Sequence, residues 1–241
     1  MDCSSAARSN VLSAAPGLSK KLAAEALGTF LFVLVGAGSA VGTASLHLDP
    51  ASGILVAAFA NGLGLAVAVS ATMGVSGGAL NPAVAVGLWV GHKLKSKDLV
   101  PYIVAELAGA IGAGLALVAA FPSVMGTSVE WGSPTLNGAL TYGQGIAIEA
   151  MMTFFLVFAV YGTAVDARAP HIGGLGIGLA VLADVLVAGS LTGAAMNPAR
   201  AFGPMIAGGF YPAYWYIYLI GPVIGGILAG LVYRYLVESP D

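Results

Sequence analysis

Charge is the scarcest commodity in this chain. Of 241 residues only 8% are charged, 9 Lys+Arg against 11 Asp+Glu, for a formal net charge of -2. Soluble domains carry about 25% charged residues, so a water-exposed globule is excluded, and the balance provides no basic field for nucleic acid. Cysteine is almost missing too. Cys3 stands alone, which rules out an intramolecular disulfide and a Cys-built zinc site. The three histidines, His47, His92 and His171, lie apart at the ends of apolar stretches and cannot assemble a metal cluster or a nucleophile–base pair. No Gly-rich phosphate-cradling loop is present. An enzyme is therefore not expected, and no cofactor is implied.

What is abundant is apolar. Hydrophobic residues make up 58% of the chain, and its 35 glycines follow no collagen period, which suits close helix packing in lipid. A helix needs about 20 apolar residues to cross the hydrocarbon layer. Six stretches qualify, at about 22–46, 52–72, 99–121, 142–164, 171–191 and 212–236. Residues 1–19 read as a disordered tail, 20–236 as one membrane domain and 237–241 as a short C-terminal tail. Two further apolar stretches, Pro82–Gly91 and Pro198–Gly209, are half a span long. That length suits re-entrant segments, which lipid tolerates only where protein or a water-filled cavity surrounds them. Arg8, Lys20, Lys21, Lys93, Lys95, Lys97, Arg168 and Arg234 fall on one side if both termini are cytoplasmic. Arg200 is the exception, and an exception to so consistent a bias marks a functional position.

The chain also repeats itself. Ser76–Ala83 (SGGALNPA) matches Thr192–Ala199 (TGAAMNPA), and Glu25-x-x-x-Thr29-Phe30 matches Glu149-x-x-x-Thr153-Phe154. Both pairs report one duplication, with repeats at about 20–121 and 142–236. Each half holds three spans, an odd number, so the second half is inserted upside down and the two half-spans meet near the midplane. Asn81-Pro82-Ala83 and Asn197-Pro198-Ala199 each read as a helix start, since Asn is a favoured N-cap and Pro a favoured first helical residue. Two facing helix N-termini focus partial positive charge at one point. Their Asn amides donate to a passing oxygen, so a water held there donates only outward and a proton wire is broken. Such a device passes neutral molecules and rejects ions.

With those residues in view, the chain resembles the aquaporin (major intrinsic protein) family over about residues 20–236. The resemblance implies an all-α membrane protein, six transmembrane helices plus two re-entrant half-helices in inverted repeats, usually a homotetramer with one pore per subunit. It further implies that Glu25 and Glu149 are structural carboxylates that accept hydrogen bonds from the backbone leading into each half-helix. It makes Arg200 a charge guard, and by spacing from the two motifs it brings Asn61, Val185 and Ala194 into the same selectivity filter. Strict water channels resemble one another in having an aromatic and a His where this chain has Asn61 and Val185. Glycerol facilitators carry Asp after the Arg, where this chain has Ala201. The stretch from Asp184 through Pro204 is similar to the ammonia-permeable branches, the plant tonoplast type and the animal aquaporin-8 type, although Asn61 departs from their usual His. The expected function is a passive water channel with a relaxed filter that also passes ammonia, hydrogen peroxide or a small polyol. A glycerol facilitator is the alternative, with an ion-coupled secondary transporter behind it. Expected partners are water, small neutral solutes and the bilayer. Asp184 either faces the pore or bonds a neighbouring helix, Glu106 is expected to be structural, and the pairs Gly174/Gly178, Gly221/Gly225 and Gly226/Gly230 are expected to let helices approach closely.

Overall fold

The computed structural model describes residues 16–168, 170 and 172–238, and among these every regular element is helical. Cys3, Arg8 and His171 lie outside the described residues, as does the C-terminal tail from residue 239. Six helices are long and apolar enough to cross a membrane. In chain order the α-helices are α1 (Leu18–Thr43), α2 (Pro50–Ser76), α3 (Pro82–Val90), α4 (Ser96–Ala120), α5 (Ser123–Thr127), α6 (Tyr142–Val160), α7 (Gly173–Thr192), α8 (Pro198–Gly208) and α9 (Ile217–Tyr233). The half-spans are α3 and α8.

Local chemistry sets the ends. Asp49 caps α2, its carboxylate accepting from the Ala51 and Ser52 amides ahead of Pro50 at the first helical position. Thr141 and Gln144 form a reciprocal capping box at the start of α6. Gly77 and Gly193 end α2 and α7 with φ of 98° and 79°, the left-handed geometry of a C-terminal glycine cap. Two limits differ from the hydropathy reading. α1 already begins at Leu18, so Lys20 and Lys21 lie in its first turn, where long basic side chains reach back to water. The last span begins at Ile217 rather than near 212. The aromatic run before it is apolar but not helical, and Tyr214, Trp215 and Tyr216 pack against Phe202 and Tyr142 instead.

The packing follows the duplication. α1 lies along α2 and α4, as α6 lies along α7 and α9, and the two halves join through α2 and α7. Each half-helix packs against the third span of the other half, α3 on α9 and α8 on α4. Glycine makes these crossings possible. A Cβ on Gly87 of α3 would meet the Gly226 carbonyl oxygen of α9 at 2.8 Å, and one on Gly114 of α4 would meet the Gly203 carbonyl oxygen of α8 at 2.8 Å. The expected Gly174/Gly178 pair sits against Ala66 and Gly62 of α2. Gly221/Gly225 sits against Ile146 and Ala150, and Gly226/Gly230 against Ala83 and Gly87. Helix association in lipid rests on such close backbone approach.

Candidate functional site

Between α2 and α3, and again between α7 and α8, the chain crosses the bundle without helical hydrogen bonds. Leu80 and Met196 hold the left-handed region there, with φ of 50° and 51°, and Ala194 does so at 45°. A non-glycine residue in that region costs on the order of 1–3 kcal/mol, so something must hold these loops. Two buried carboxylates do. Glu25 accepts from the Ala79 amide (3.2 Å) and the Leu80 amide (2.7 Å). Glu149 accepts from the Ala195 amide (3.0 Å), the Met196 amide (2.7 Å) and the Thr192 hydroxyl (2.6 Å). Tyrosines complete each corner: the Tyr102 hydroxyl donates to the Ser76 carbonyl and the Tyr218 hydroxyl to the Thr192 carbonyl.

Thus fastened, the loops deliver Asn81 and Asn197 as N-caps of α3 and α8. The Asn81 Oδ1 accepts from the Ala83 amide, and the Asn197 Oδ1 from the Ala199 and Arg200 amides. Each Nδ2 crosses the pseudo-twofold axis: Asn81 donates to the Met196 carbonyl (2.9 Å) and Asn197 to the Leu80 carbonyl (2.8 Å). An amide nitrogen carries two hydrogens, so one per asparagine is committed to locking the opposite loop and one remains. Both asparagines border a cavity of about 10 Å³, walled by Phe32, Leu65, Leu156, Val181 and the loop residues Ala194–Met196. That is the least volume a water occupies, roughly 10–15 Å³. Four apolar side chains and the two asparagines thus enclose a space about one water wide.

Asn61 also borders a wider mouth of about 240 Å³, together with Val185 and Arg200. Three of the four residues expected in the filter therefore share a cavity. Ala194 lies one step deeper, at the central constriction, which Asn61 also touches. Arg200, only 7% exposed, donates through Nη1 to the Gly132 carbonyl (3.0 Å) and approaches the Asn61 Oδ1 through Nε (3.5 Å). The opposite mouth, about 300 Å³, is bordered by Ser76–Ala79, Tyr102 and Lys93.

The 121–141 connection is a part of the site that span and motif reading did not assign. Val129 and Gly132–Thr135 line the Arg200 mouth, anchored by Trp131, which is buried against Gly126 and Gly208. A lone tryptophan amid small and polar residues was the available signal. The pore walls Phe32 and Leu156 were also unassigned, yet each lies seven residues after its Glu, two helical turns along the same face. Asp184 borders none of these three cavities, and its Oδ2 is buried without a hydrogen-bond partner. Glu106 is fully buried, its side chain facing the Glu25 carboxyl group and the Asn81 backbone amide. His92 is exposed in the turn after α3.

A helical bundle with two half-helices meeting at a water-wide constriction is a membrane channel. The chain matches the family model described as major intrinsic protein over residues 13–233, and it belongs to that family, the aquaporins. A probable aquaporin TIP2-2 of Oryza sativa subsp. japonica is 42% identical over 92% of this chain and 89% of its own length. Aquaporin AqpM of Methanothermobacter thermautotrophicus is 36% identical over 92% of this chain and 99% of its own. Among solved structures, an aquaglyceroporin from Plasmodium falciparum superposes with a TM-score of 0.83, covering 92% of this chain and 97% of that one at 22% identity, which is a likeness of fold. The protein is thus an integral, multi-pass channel of a family that moves water and small solutes rather than an enzyme.

Proposed function

We propose that this channel conducts water in single file and, through a relaxed filter, a second small neutral solute, with ammonia first and hydrogen peroxide next. Asn81, Pro82 and Ala83 with Asn197, Pro198 and Ala199 form the central barrier to protons. Each asparagine offers its one uncommitted N–H to the passing oxygen, and the N-termini of α3 and α8 add positive potential against cations. Asn61, Val185, Ala194 and Arg200 form the filter, with Arg200 as the fixed charge. Glu25 and Glu149 serve the loops, not the solute. The observation that carries the reading is the reciprocal pair of hydrogen bonds from Asn81 to Met196 and from Asn197 to Leu80, which aims both half-helices at one constriction. Relaxation of the filter is supported by its make-up: no aromatic and no histidine borders the Arg200 mouth.

The positive-inside bias orients both termini, and the Lys93 mouth, toward the cytoplasm, and puts Arg200 on the opposite face. Residues 20–236 act as one channel domain, and four copies assemble with a pore in each. Stopped-flow light scattering on liposomes holding the purified protein, with water, ammonia, hydrogen peroxide and glycerol in turn, tests this. Flux of water and ammonia above protein-free vesicles is expected. Water alone would reduce the protein to a strict water channel, and glycerol as the principal second solute would make it a facilitator.

A further inference from the structure

Asn61 is the one polar side chain of the filter besides Arg200, and its position is unusual. It does not extend freely across the lumen. Its amide lies against Gly36 of α1, so that a Cβ built on Gly36 would collide with the Asn61 Oδ1 and come within 3.0 Å of its Cγ. The three nearest heavy atoms to that Cβ all belong to Asn61. Within it the Asn61 Nδ2 donates to the Ala57 carbonyl of its own helix (2.8 Å), and the Oδ1 faces the Arg200 Nε (3.5 Å). Asn61 is only 4% exposed although it borders both the mouth and the central constriction. Gly36 lies on the Glu25–Thr29–Phe32 face of α1, the buried face that meets the pore.

We infer that Gly36 is an aperture-determining residue: its missing side chain creates the recess into which Asn61 withdraws, and this holds Arg200 to one wall and keeps the filter open. The inference rests on the filter reading above, and it assigns the width of that filter to a residue that itself touches no solute. A methyl group at position 36 takes the recess. The clash falls on the end of a flexible side chain rather than on backbone, so Asn61 yields by rotating, and the space left to it is the lumen beside Arg200. The filter then narrows and the Arg200 Nε loses its neighbour.

Gly36→Ala, Asn61→Ala and the double variant, purified and reconstituted, decide the matter. Gly36→Ala is expected to lower water permeability per channel by about tenfold, a barrier rise of about 1.4 kcal/mol, with ammonia falling at least as far. The double variant should recover the level of Asn61→Ala, because no amide remains to be displaced. Asn61→Ala removes the displaced amide and the Arg200 Nε neighbour together, and its own flux is the reference for the double variant. Wild-type flux in Gly36→Ala, or a double variant as far below Asn61→Ala as Gly36→Ala is below wild type, would overturn the inference. If Gly36→Ala does not assemble, the double variant decides: assembly with the flux of Asn61→Ala supports the inference, and failure to assemble overturns it. Asn61→Phe separates the two readings: a variant that still passes everything means Asn61 is not in the filter. Block by Asn61→Phe with an indifferent Gly36→Ala removes only the role of Gly36.

Discussion

The two halves of the channel solve one structural problem identically and then diverge where function begins. Glu25 and Glu149, Tyr102 and Tyr218, Ser76 and Thr192, Leu80 and Met196, Asn81 and Asn197 take equivalent places and make equivalent bonds. Such agreement is what backbone chemistry demands: a non-helical loop inside a bilayer must have every buried N–H satisfied by protein, and one solution was duplicated. The divergences lie one turn further on. Arg200 in the second half corresponds to the buried Val84 in the first, and Pro222 in the second half stands where the first has Glu106. A buried cation thus stands in the second half of a symmetric scaffold and an extra buried carboxyl group in the first.

The largest effect on this comparison should come from the loop anchors. A stranded buried donor costs about 1–3 kcal/mol, and each change strands two loop amides and one hydroxyl, Thr192 for Glu149→Ala and Ser76 for Glu25→Ala. Both variants should lose thermal stability in detergent by similar amounts, as followed by size-exclusion fluorescence on heating. A mild Glu149→Ala beside a severe Glu25→Ala would break the equivalence of the halves.

Next in size is the charge asymmetry. Arg200→Val makes the α8 start resemble the α3 start. Water flux should persist while protons or cations leak, read with a pH-sensitive dye inside liposomes; an intact ion barrier would mean that the half-helix dipoles suffice. Smaller again is Glu106→Gln. The Glu106 and Glu25 side chains are hydrogen-bond neighbours there, and an amide supplies Glu25 with a permanent donor, worth about 1 kcal/mol. The melting temperature should rise or hold with flux unchanged, and a marked loss of folded protein would show that both Glu106 oxygens are needed as acceptors.

The smallest effect concerns the loops after the first span of each half. Asp49 merely caps α2, whereas Asp166 straps its loop to the end of the last helix, accepting from Arg168 and from the Tyr233 hydroxyl, while Arg168 reaches the Val237 carbonyl. The Arg168 hydrogen bonds, first, and then Tyr233 hold the Asp166 carboxyl well below its ordinary range. A carboxyl lowered by folding contributes above its unfolded value and is lost as pH falls through its folded value, so the strap persists through mild acid and opens only in strong acid. Hydrogen exchange around 162–170 should be flat from neutral pH to mild acid, after correction for intrinsic rates, and faster in Asp166→Asn. Acceleration of the wild type in mild acid would contradict the strap.

Sequence alone determined the spans, the duplication and the two helix starts, because each rests on local or periodic chemistry: apolar runs of fixed length, Asn before Pro, Glu four residues before Thr. It also singled out Arg200, through a charge count that needs no coordinates. Only the tertiary structure decided what depends on contacts between residues far apart in the chain. Trp131 anchors a loop that brings the Gly132 carbonyl to Arg200, the Asn81 and Asn197 amides each spend one hydrogen on the opposite loop, and Asn61 lies in the recess of Gly36 rather than across the pore. None of these has a sequence period. An aperture is set by which way a side chain turns, and that direction is fixed by the neighbour that leaves it room.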